Sequence, residues 1–222
     1  MQPYYQERDI TIYHGDSREI LPSLTGNLVL CDFPYAINEH YDIYQDTEEN
    51  LQVLIKELIP LMLLVAPVTA LTCGVGNMFK YPNPNWVLSW ITPAGSGSGP
   101  WGFCCWQPVL VYGKDPYLQN CLGRRPDTYI YTETSTGNGH PCPKPLGVWK
   151  WVLNRVSAKE TDLVIDPCMG AGTTLRAAKD LGRRAIGIDI SEKYCELAAQ
   201  SLRQEIIEFP KKESEDSVSL LW

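Results

Sequence analysis

Residues that commonly bind structural metals are scarce in this sequence. It contains no Cys-x-x-Cys pair, and its three histidines are His14, His40 and His140. Structural zinc is held by closely spaced cysteines and histidines, so we expect no zinc site and no other bound metal. Eight cysteines would suggest disulfides in a small secreted protein, but this chain has 222 residues, and we expect its thiols to be reduced.

A long hydrophobic run is also missing. The first nine residues are polar, so we expect no signal peptide. The most apolar region, Leu58 to Leu71, is interrupted by Pro60 and Pro67 and is too short to span a bilayer. We therefore expect no membrane partner and a cytoplasmic location.

Positively charged residues are scarce in the first half of the chain. Residues 1–113 hold four Lys and Arg against eleven Asp and Glu, residues 114–222 hold fifteen of each, and the net charge is −7. This balance argues against a general polyanion binder. Any nucleic-acid surface is expected in the second half, where Lys114, Arg124 and Arg125 are candidates. A solvated basic pair in a loop explains Arg124 and Arg125 equally well.

Apolar segments of strand and helix type alternate along the chain, as expected for one globular domain with 44% hydrophobic and 20% charged residues. The alternation predicts an α/β fold with a doubly wound, mostly parallel sheet covered on both faces. We expect one domain over residues 1–210, with a small variable insert at about 94–139 and a loosely ordered tail at 211–222. Residues 85–91 are expected to form a short helix, and residues 114–139 no regular structure.

An apolar run, Leu28 to Cys31, leads directly to Asp32-Phe33-Pro34-Tyr35. Such a run predicts a buried strand, and a polar residue at the carboxyl end of a strand in an α/β protein lies where ligands bind. A simple turn is the alternative, because Asp and Pro are common turn residues. The polar and aromatic segment that follows, residues 36–48, has no periodicity and is expected to form a lid-like loop.

A glycine-rich loop follows another predicted strand near the carboxyl end. It begins at Asp166, and Asp189 lies 19 residues after Gly170, the reach expected of a carboxylate that binds ribose hydroxyls. The third glycine of the dinucleotide pattern is replaced by Leu175, which favours an adenosine ligand without phosphates. S-adenosylmethionine is such a ligand, and a pocket edged by acids would attract its sulfonium cation. These acids are Asp16, Asp32, Asp166 and Asp189. A glycine turn that packs a helix on the sheet is the alternative.

Four segments in this order make the chain similar to the amino-methylating DNA methyltransferases of the β arrangement. They are Tyr13-His14-Gly15-Asp16, Asp32-Phe33-Pro34-Tyr35, His140-Pro141-Cys142-Pro143-Lys144-Pro145 and Asp166-Pro167-Cys168-Met169-Gly170-Ala171-Gly172-Thr173-Thr174 with Gly187-Ile188-Asp189. The second resembles the family's catalytic tetrapeptide, which is usually Asp-Pro-Pro-Tyr. The cofactor loop follows the catalytic segment, so the resemblance implies a circularly permuted order of motifs. It spans roughly residues 10–204.

The resemblance implies methyl transfer from S-adenosylmethionine to the exocyclic amine of a flipped base in double-stranded DNA, with N6 of adenine favoured. It implies a cytoplasmic enzyme of a bacterial or phage-infected cell. The small variable region and the acidic chain suggest a short recognition site, or help in DNA reading from a homodimer or another partner. N4 of cytosine, an RNA or other amine substrate, and a catalytically weak binding protein are the alternatives. The cofactor-binding residues that it implies are Asp16, Lys144, Pro145, Asp166, Pro167, Met169, Gly170, Gly172, Thr173, Asp189 and Ile190.

The resemblance also assigns roles in the catalytic tetrapeptide. The side chain of Asp32 and the backbone carbonyl of Phe33 would accept hydrogen bonds from the target amine, and Tyr35 would stack on the base. Pro34 completes the catalytic segment. Phe33 departs from the family's proline, which leaves a carbonyl in place but removes a fixed φ angle worth about 1 kcal/mol of pre-organisation.

Overall fold

A computed structural model describes residues 2–93, 95, 97–132 and 144–204. In these residues, eleven strands and six α-helices form three layers. The strands are β1 (Tyr5–Glu7), β2 (Ile10–His14), β3 (Leu28–Asp32), β4 (Val68–Thr72), β5 (Trp86–Ile91), β6 (Ser98–Gly99), β7 (Gly102–Phe103), β8 (Trp106–Gly113), β9 (Thr128–Ile130), β10 (Leu163–Asp166) and β11 (Arg184–Asp189). The helices are α1 (Ser17–Ile20), α2 (Glu48–Val65), α3 (Pro116–Gln119), α4 (Leu146–Val156), α5 (Thr173–Asp180) and α6 (Glu192–Arg203).

The main sheet has the order β1-β2-β11-β10-β3-β4-β8-β5-β9 in the described residues. Strands β2, β11, β10, β3 and β4 are parallel neighbours, whereas β1 and β8 run antiparallel to the strands beside them. Strands β6 and β7 form a separate hairpin. The predicted α/β fold with a mostly parallel sheet is confirmed.

Alternating side chains of the central strands build a hydrophobic core on each face of the sheet. Leu28 and Leu30 of β3 belong to the core under α4, α5 and α6. Val29 and Cys31 belong to the core under α1 and α2. This period of two explains why β3 is apolar at every position before Asp32, as expected for a strand covered on both sides.

The connections of β10 and β3 leave the sheet on opposite faces. Helix α5 leads from β10 to β11 and packs in one core, whereas α2 leads from β3 to β4 and packs in the other. Since β10 and β3 are neighbours, their crossovers diverge and leave a crevice at the carboxyl ends of the two strands. This is the topological switch point at which open α/β sheets bind ligands.

Several local predictions differ from the structure. Residues 85–91 were expected to be helical, but Trp86–Ile91 is strand β5, since its backbone pairs with β8 on one side and β9 on the other. The segment after Lys114 contains α3 and β9 and is therefore not wholly irregular. The predicted tail at 211–222 and the motif residues His140 to Pro143 lie outside the described residues.

Two expected absences can be compared with the described part of the chain. No helix in it is long and apolar enough to cross a membrane. It also contains no group of three or more His, Cys, Asp or Glu side chains that could hold a metal ion. The cysteines within it are all free.

Candidate functional site

A cavity of about 480 Å³ lies at the switch point. Its size falls in the range of small-molecule sites, which is roughly 300–1,000 Å³. Both predicted motifs contribute to its wall, because Asp32 and Pro34 follow β3 while the glycine loop follows β10. The predicted cofactor residues that line it are Asp16, Lys144, Asp166, Pro167, Met169, Gly170, Thr173, Asp189 and Ile190.

Asp32 lies at the carboxyl end of β3, where its backbone is opposite Thr72 of β4. Its Oδ1 accepts hydrogen bonds from the hydroxyl of Thr72 and from the hydroxyl of Tyr35, the latter at 3.2 Å. Its Oδ2 is in an ion pair with the ammonium of Lys144. Three donors from three separate segments therefore fix the carboxylate in one orientation.

The ammonium of Lys144 has a partner that sequence reasoning did not predict. The family resemblance implied a place beside the cofactor, and Lys144 does line the cavity. Its Nζ, however, contacts Asp32 directly and lies 4.8 Å from the centroid of the Tyr35 ring. A nitrogen donor of the protein itself thus occupies the carboxylate oxygen for which the family resemblance predicted a target amine.

The rest of the predicted catalytic tetrapeptide divides between the cavity and the core. Phe33 is 1% exposed, and its ring centroid lies 6.0 Å from that of Tyr81. Tyr35 packs beside Gly74, where an added Cβ would come within 3.2 Å of the tyrosine ring. Burial raises the pKa of Tyr35 well above its ordinary value, which keeps its hydroxyl a hydrogen-bond donor. The Phe33 side chain therefore anchors the loop in the core and leaves the cavity free.

Both oxygens of Asp189 organise the glycine loop. Oδ2 accepts a hydrogen bond from the backbone N–H of Gly170 at 2.9 Å, and Oδ1 accepts one from Ser191 at 2.9 Å. Gly172 has a φ of +82°, and an added Cβ would lie 2.8 Å from the Cβ of Ala198. Close approach of α6 and the left-handed backbone therefore both require glycine at this position.

The leucine in place of a third glycine has a structural explanation. Leu175 is fully buried, and it packs where Gly187 of β11 has no side chain. A Cβ on Gly187 would lie 2.7 Å from a methyl group of Leu175 and 2.4 Å from the sulfur of Met169. The helix and the strand thus still pack closely, but the small residue is Gly187 on the strand and the large residue is Leu175 on the helix.

The cavity carries negative charge that is only partly neutralised. The carboxylate of Asp16 pairs with Arg18, whose Nε lies 2.9 and 3.0 Å from its two oxygens. Asp166 and Asp189 form no ion pair within the described chain. Burial, with smaller contributions from the charges of Asp32 and Asp189, raises the pKa of Asp166 to about 7. The cavity therefore favours a ligand that brings positive charge.

The expected lid segment, residues 36–48, covers part of this cavity. The Asp46 carboxylate accepts hydrogen bonds from the backbone of Ala36 and Ile37 at 2.8 and 3.0 Å, and Asp42 accepts one from the hydroxyl of Ser191 at 2.6 Å. The buried hydroxyl of Tyr44, which lines the cavity, has no hydrogen-bond partner among the described residues. It is therefore available to a ligand.

The predicted DNA-binding cations lie away from this cavity. Lys114 follows Gly113, which is paired with Val68 at the amino end of β4, opposite the end that holds Thr72. Arg125 lies over the ring of Tyr117, whose hydroxyl bonds to the carbonyl of Asn154 near the end of α4. The structure therefore does not bring Lys114, Arg124 and Arg125 to the site, and their contact with DNA stays a prediction.

Sequence reasoning also placed two residues in the cavity wall that the structure puts behind it, and it missed several others. Pro145 is buried at the start of α4, and Gly172 is buried at the start of α5. The missed residues that hold or line the site include Thr72, Tyr44, Trp149 and Ser191. An isolated Thr or Trp inside an apolar segment carries no signal that distinguishes a site residue from a core residue.

The fold matches those of solved DNA methyltransferases. A structure described as an M1.HpyAVI–SAM complex has a TM-score of 0.65 at 21% identity, covering 88% of this chain and all of that one. The PvuII DNA methyltransferase, described as cytosine-N4-specific, has a TM-score of 0.69 at 17% identity, covering 93% of this chain and 90% of that one. The chain thus has the fold of the S-adenosylmethionine-dependent methyltransferases.

Sequence comparison defines the family. The model of the DNA methylase family, which comprises N6 and N4 methylases, matches residues 86–200, just over half of the chain. The type II methyltransferase M.ScaI of Streptomyces caespitosus is 25% identical over 92% of this chain and 84% of its own length. M2.DpnII of Streptococcus pneumoniae is 44% identical over 30% of this chain and 24% of its own length. The chain belongs to the amino-methylating DNA methyltransferases, a class whose methyl donor is S-adenosylmethionine, as predicted.

Proposed function

We propose that this protein transfers a methyl group from S-adenosylmethionine to the N6 amine of adenine in a specific DNA sequence. One observation carries the proposal: Asp32 and Asp189 line the same cavity at the switch point of the sheet. One site thereby contains both a carboxylate that can bind the target amine, Asp32, and a carboxylate that can bind the ribose of the cofactor, Asp189. The related DNA methyltransferases, one of them solved as a SAM complex, support methyl transfer to DNA from this cofactor.

The residues present fit this cofactor. Asp189 would accept hydrogen bonds from ribose hydroxyls, the glycine loop would allow close approach of the adenosine, and the uncompensated charge of Asp166 would favour the cationic end. The free hydroxyl of Tyr44 offers a further hydrogen bond. When bound, S-adenosylmethionine supplies the electrophilic methyl group.

Asp32 prepares the target nitrogen in this proposal. The lone pair of an exocyclic amine is delocalised into its base, and a hydrogen bond from the N–H to Asp32 draws the nitrogen toward tetrahedral geometry. The Phe33 carbonyl is proposed as the second acceptor. Lys144 must leave Oδ2 as the amine arrives, while Thr72 and Tyr35 keep the carboxylate oriented.

Access to Asp32 supports the proposal that the base leaves the duplex. The Asp32 side chain is 23% exposed and lies in the crevice between diverging crossovers, where a stacked base cannot reach. Enzymes that act on a base commonly solve this problem by rotating it out of the helix. Tyr35 is proposed to stack on it, which requires Lys144 to uncover the tyrosine ring.

Nucleoside analysis tests the function directly. Plasmid DNA from methylation-deficient cells that express the protein is digested to nucleosides and analysed by mass spectrometry. We expect N6-methyldeoxyadenosine, absent when Asp32→Ala is expressed at the same level. Finding N4-methyldeoxycytidine instead would identify cytosine, rather than adenine, as the target base. The absence of both products would refute DNA methylation. Modified-base sequencing of the same DNA would define the recognition site.

Cofactor affinity is expected to fall at acidic pH. The pKa of Asp166 is about 7 in the free protein, and a nearby cation favours its ionised form. Binding below pH 7 must therefore release a proton, so affinity decreases as the pH falls, by up to tenfold per pH unit. Calorimetric titration with S-adenosylmethionine between pH 5.5 and 7.5 measures this slope.

The matched control for this titration is Asp166→Asn. This variant has no titrating group at position 166, so we expect weaker binding that varies little over the same pH range. An equal slope in both proteins would assign the pH dependence to another group, for which Asp189 is the neighbouring candidate.

A further inference from the structure

The hairpin of β6 and β7 carries unusually exposed aromatic side chains. We call Ser98–Phe103 the Trp101 hairpin, because Trp101 lies in its turn with its side chain fully exposed, and Phe103 is 83% exposed. Phe79, in the short 3-10 segment after β4, is 90% exposed. Exposed apolar surface of this extent commonly marks an interaction site.

The backbone of the Trp101 hairpin is ordered by its own hydrogen bonds. Ser98 pairs with Phe103 and Gly99 with Gly102. The N–H of Cys104 bonds to the carbonyl of Gly97 at 2.9 Å, and that of Thr92 bonds to Cys105 at 2.9 Å. Strands β6 and β7 thus form a small sheet of their own beside the end of the β5–β8 pairing, and Trp101 is presented at the turn of this short paired ribbon. Binding through it would order little additional chain.

The ribbon projects from the same edge of the sheet as the catalytic carboxylate. Val109 of β8 is opposite Thr72, and Thr72 is opposite Asp32. Trp101 precedes Val109 by eight residues, which extend at most about 26 Å. The opposite edge holds Lys114, which follows Gly113. A duplex that offers a base to Asp32 is therefore within reach of Trp101.

This surface lacks the charges that would bind phosphates. Residues 81–113, which include the hairpin, contain no Asp, Glu, Lys, Arg or His. The cations near the cavity are already paired: Arg18 with Asp16 and Glu57, Lys80 with Glu48, and Lys144 with Asp32. Any contact with DNA here must depend mainly on stacking and apolar insertion.

We propose that Trp101 inserts between bases of the DNA duplex beside the target base and stacks on them, with Phe103 packing at the same step. The inference rests on the proposed function, because it takes DNA as the substrate presented to Asp32. Duplex DNA is the occupant that fits best, since every base has an aromatic face and an uncharged tip can enter the stack without losing an ion pair. Insertion would hold open the step from which the target base is removed.

The test uses the full chain and unmethylated DNA of mixed sequence. Loss of one stacked base typically weakens binding about 5- to 150-fold, so Trp101→Ala should show this loss in filter binding and a comparable fall in kcat/KM for DNA. Its affinity for S-adenosylmethionine should equal that of the wild type. Trp101→Phe should retain most of the DNA affinity.

Trp86→Ala is the matched control. Trp86 is 59% exposed, and its partner Val111 lies near the opposite end of β8, so its removal should change DNA affinity less than twofold. The salt dependence is a second readout. Since each phosphate contact contributes about 0.9 to the slope of log K against log salt, we expect a slope below about 3 in magnitude.

The outcomes separate this inference from the proposed function. If Trp101→Ala binds DNA as Trp86→Ala does while the wild type methylates DNA, the insertion is refuted and the function stands. If the wild type transfers no methyl group to DNA, the function itself fails. If the Trp101 substitution instead abolishes binding to anionic vesicles or self-association in sedimentation, with DNA binding unchanged, the hairpin serves another partner.

Discussion

Asp32→Asn is expected to lower kcat for DNA methylation by about 100- to 1,000-fold, the range seen when a positioned polar group is lost from an active site. The amide retains the shape of the side chain and one carbonyl acceptor, but its charge is gone and its NH₂ group faces the amine as a second donor. The dissociation constant for S-adenosylmethionine should change less than threefold. Single-turnover methylation with excess enzyme, together with calorimetry of cofactor binding, measures both quantities.

Two controls keep this result interpretable. Asp32→Asn leaves the Lys144 ammonium, whose side chain is 13% exposed, without a carboxylate, so the double variant with Lys144→Met tests whether stability rather than chemistry is affected. Asp127→Asn, near the amino end of the sheet beside Trp86, should retain full activity. A single variant at Asp32 with at least a third of the wild-type rate would remove Asp32 from the reaction.

Asp189→Asn is expected to weaken S-adenosylmethionine binding about 100-fold. One amide oxygen replaces two carboxylate oxygens, so either Gly170 or Ser191 loses the acceptor for its N–H, and the ribose loses a charged acceptor. Each charge-assisted hydrogen bond contributes on the order of 1.5–3 kcal/mol. Equilibrium titration at pH 8 measures the loss.

Thermal unfolding distinguishes lost binding from lost folding in this variant. Burial raises the pKa of Asp189, so its charge is unfavourable to the fold and its neutralisation should lower Tm little. Asp9→Asn, an exposed position at the opposite edge of the sheet, is the control. If Asp189→Asn binds the cofactor normally, another residue must bind the ribose hydroxyls.

Local sequence patterns were sufficient for the parts of the site that depend on neighbouring residues. The run from Leu28 to Asp32 is one strand that ends in the candidate carboxylate, and Asp166 to Thr173 links the end of a strand through a turn to the start of a helix. Both can be recognised because strand, turn and acid are contiguous. The spacing of Gly170 and Asp189 reflects a single crossover, which has a nearly fixed length.

Contacts that depend on strand register could not be predicted in the same way. Thr72 contacts Asp32 because the register of β3 and β4 places the two residues opposite each other. Lys144 contacts Asp32 from a segment 112 residues away in the sequence. Strand β5 was predicted as a helix because its short segment after two prolines lacks a clear pattern, and pairing with β8 decided its conformation. The direction of β8 likewise carried Lys114 to the edge remote from the site.

The ion pair between Lys144 and Asp32 sets a threshold for substrate entry in the proposed reaction. A base amine is neutral and a weaker hydrogen-bond donor than an ammonium, so it displaces Lys144 only when the rest of the DNA is well docked. A base that is presented without those contacts leaves the pair closed. The measured free energy of DNA binding is then the docking free energy minus the free energy needed to open the ion pair. Discrimination between correct and incorrect sequences would consequently appear at the carboxylate as well as at the DNA-reading surface.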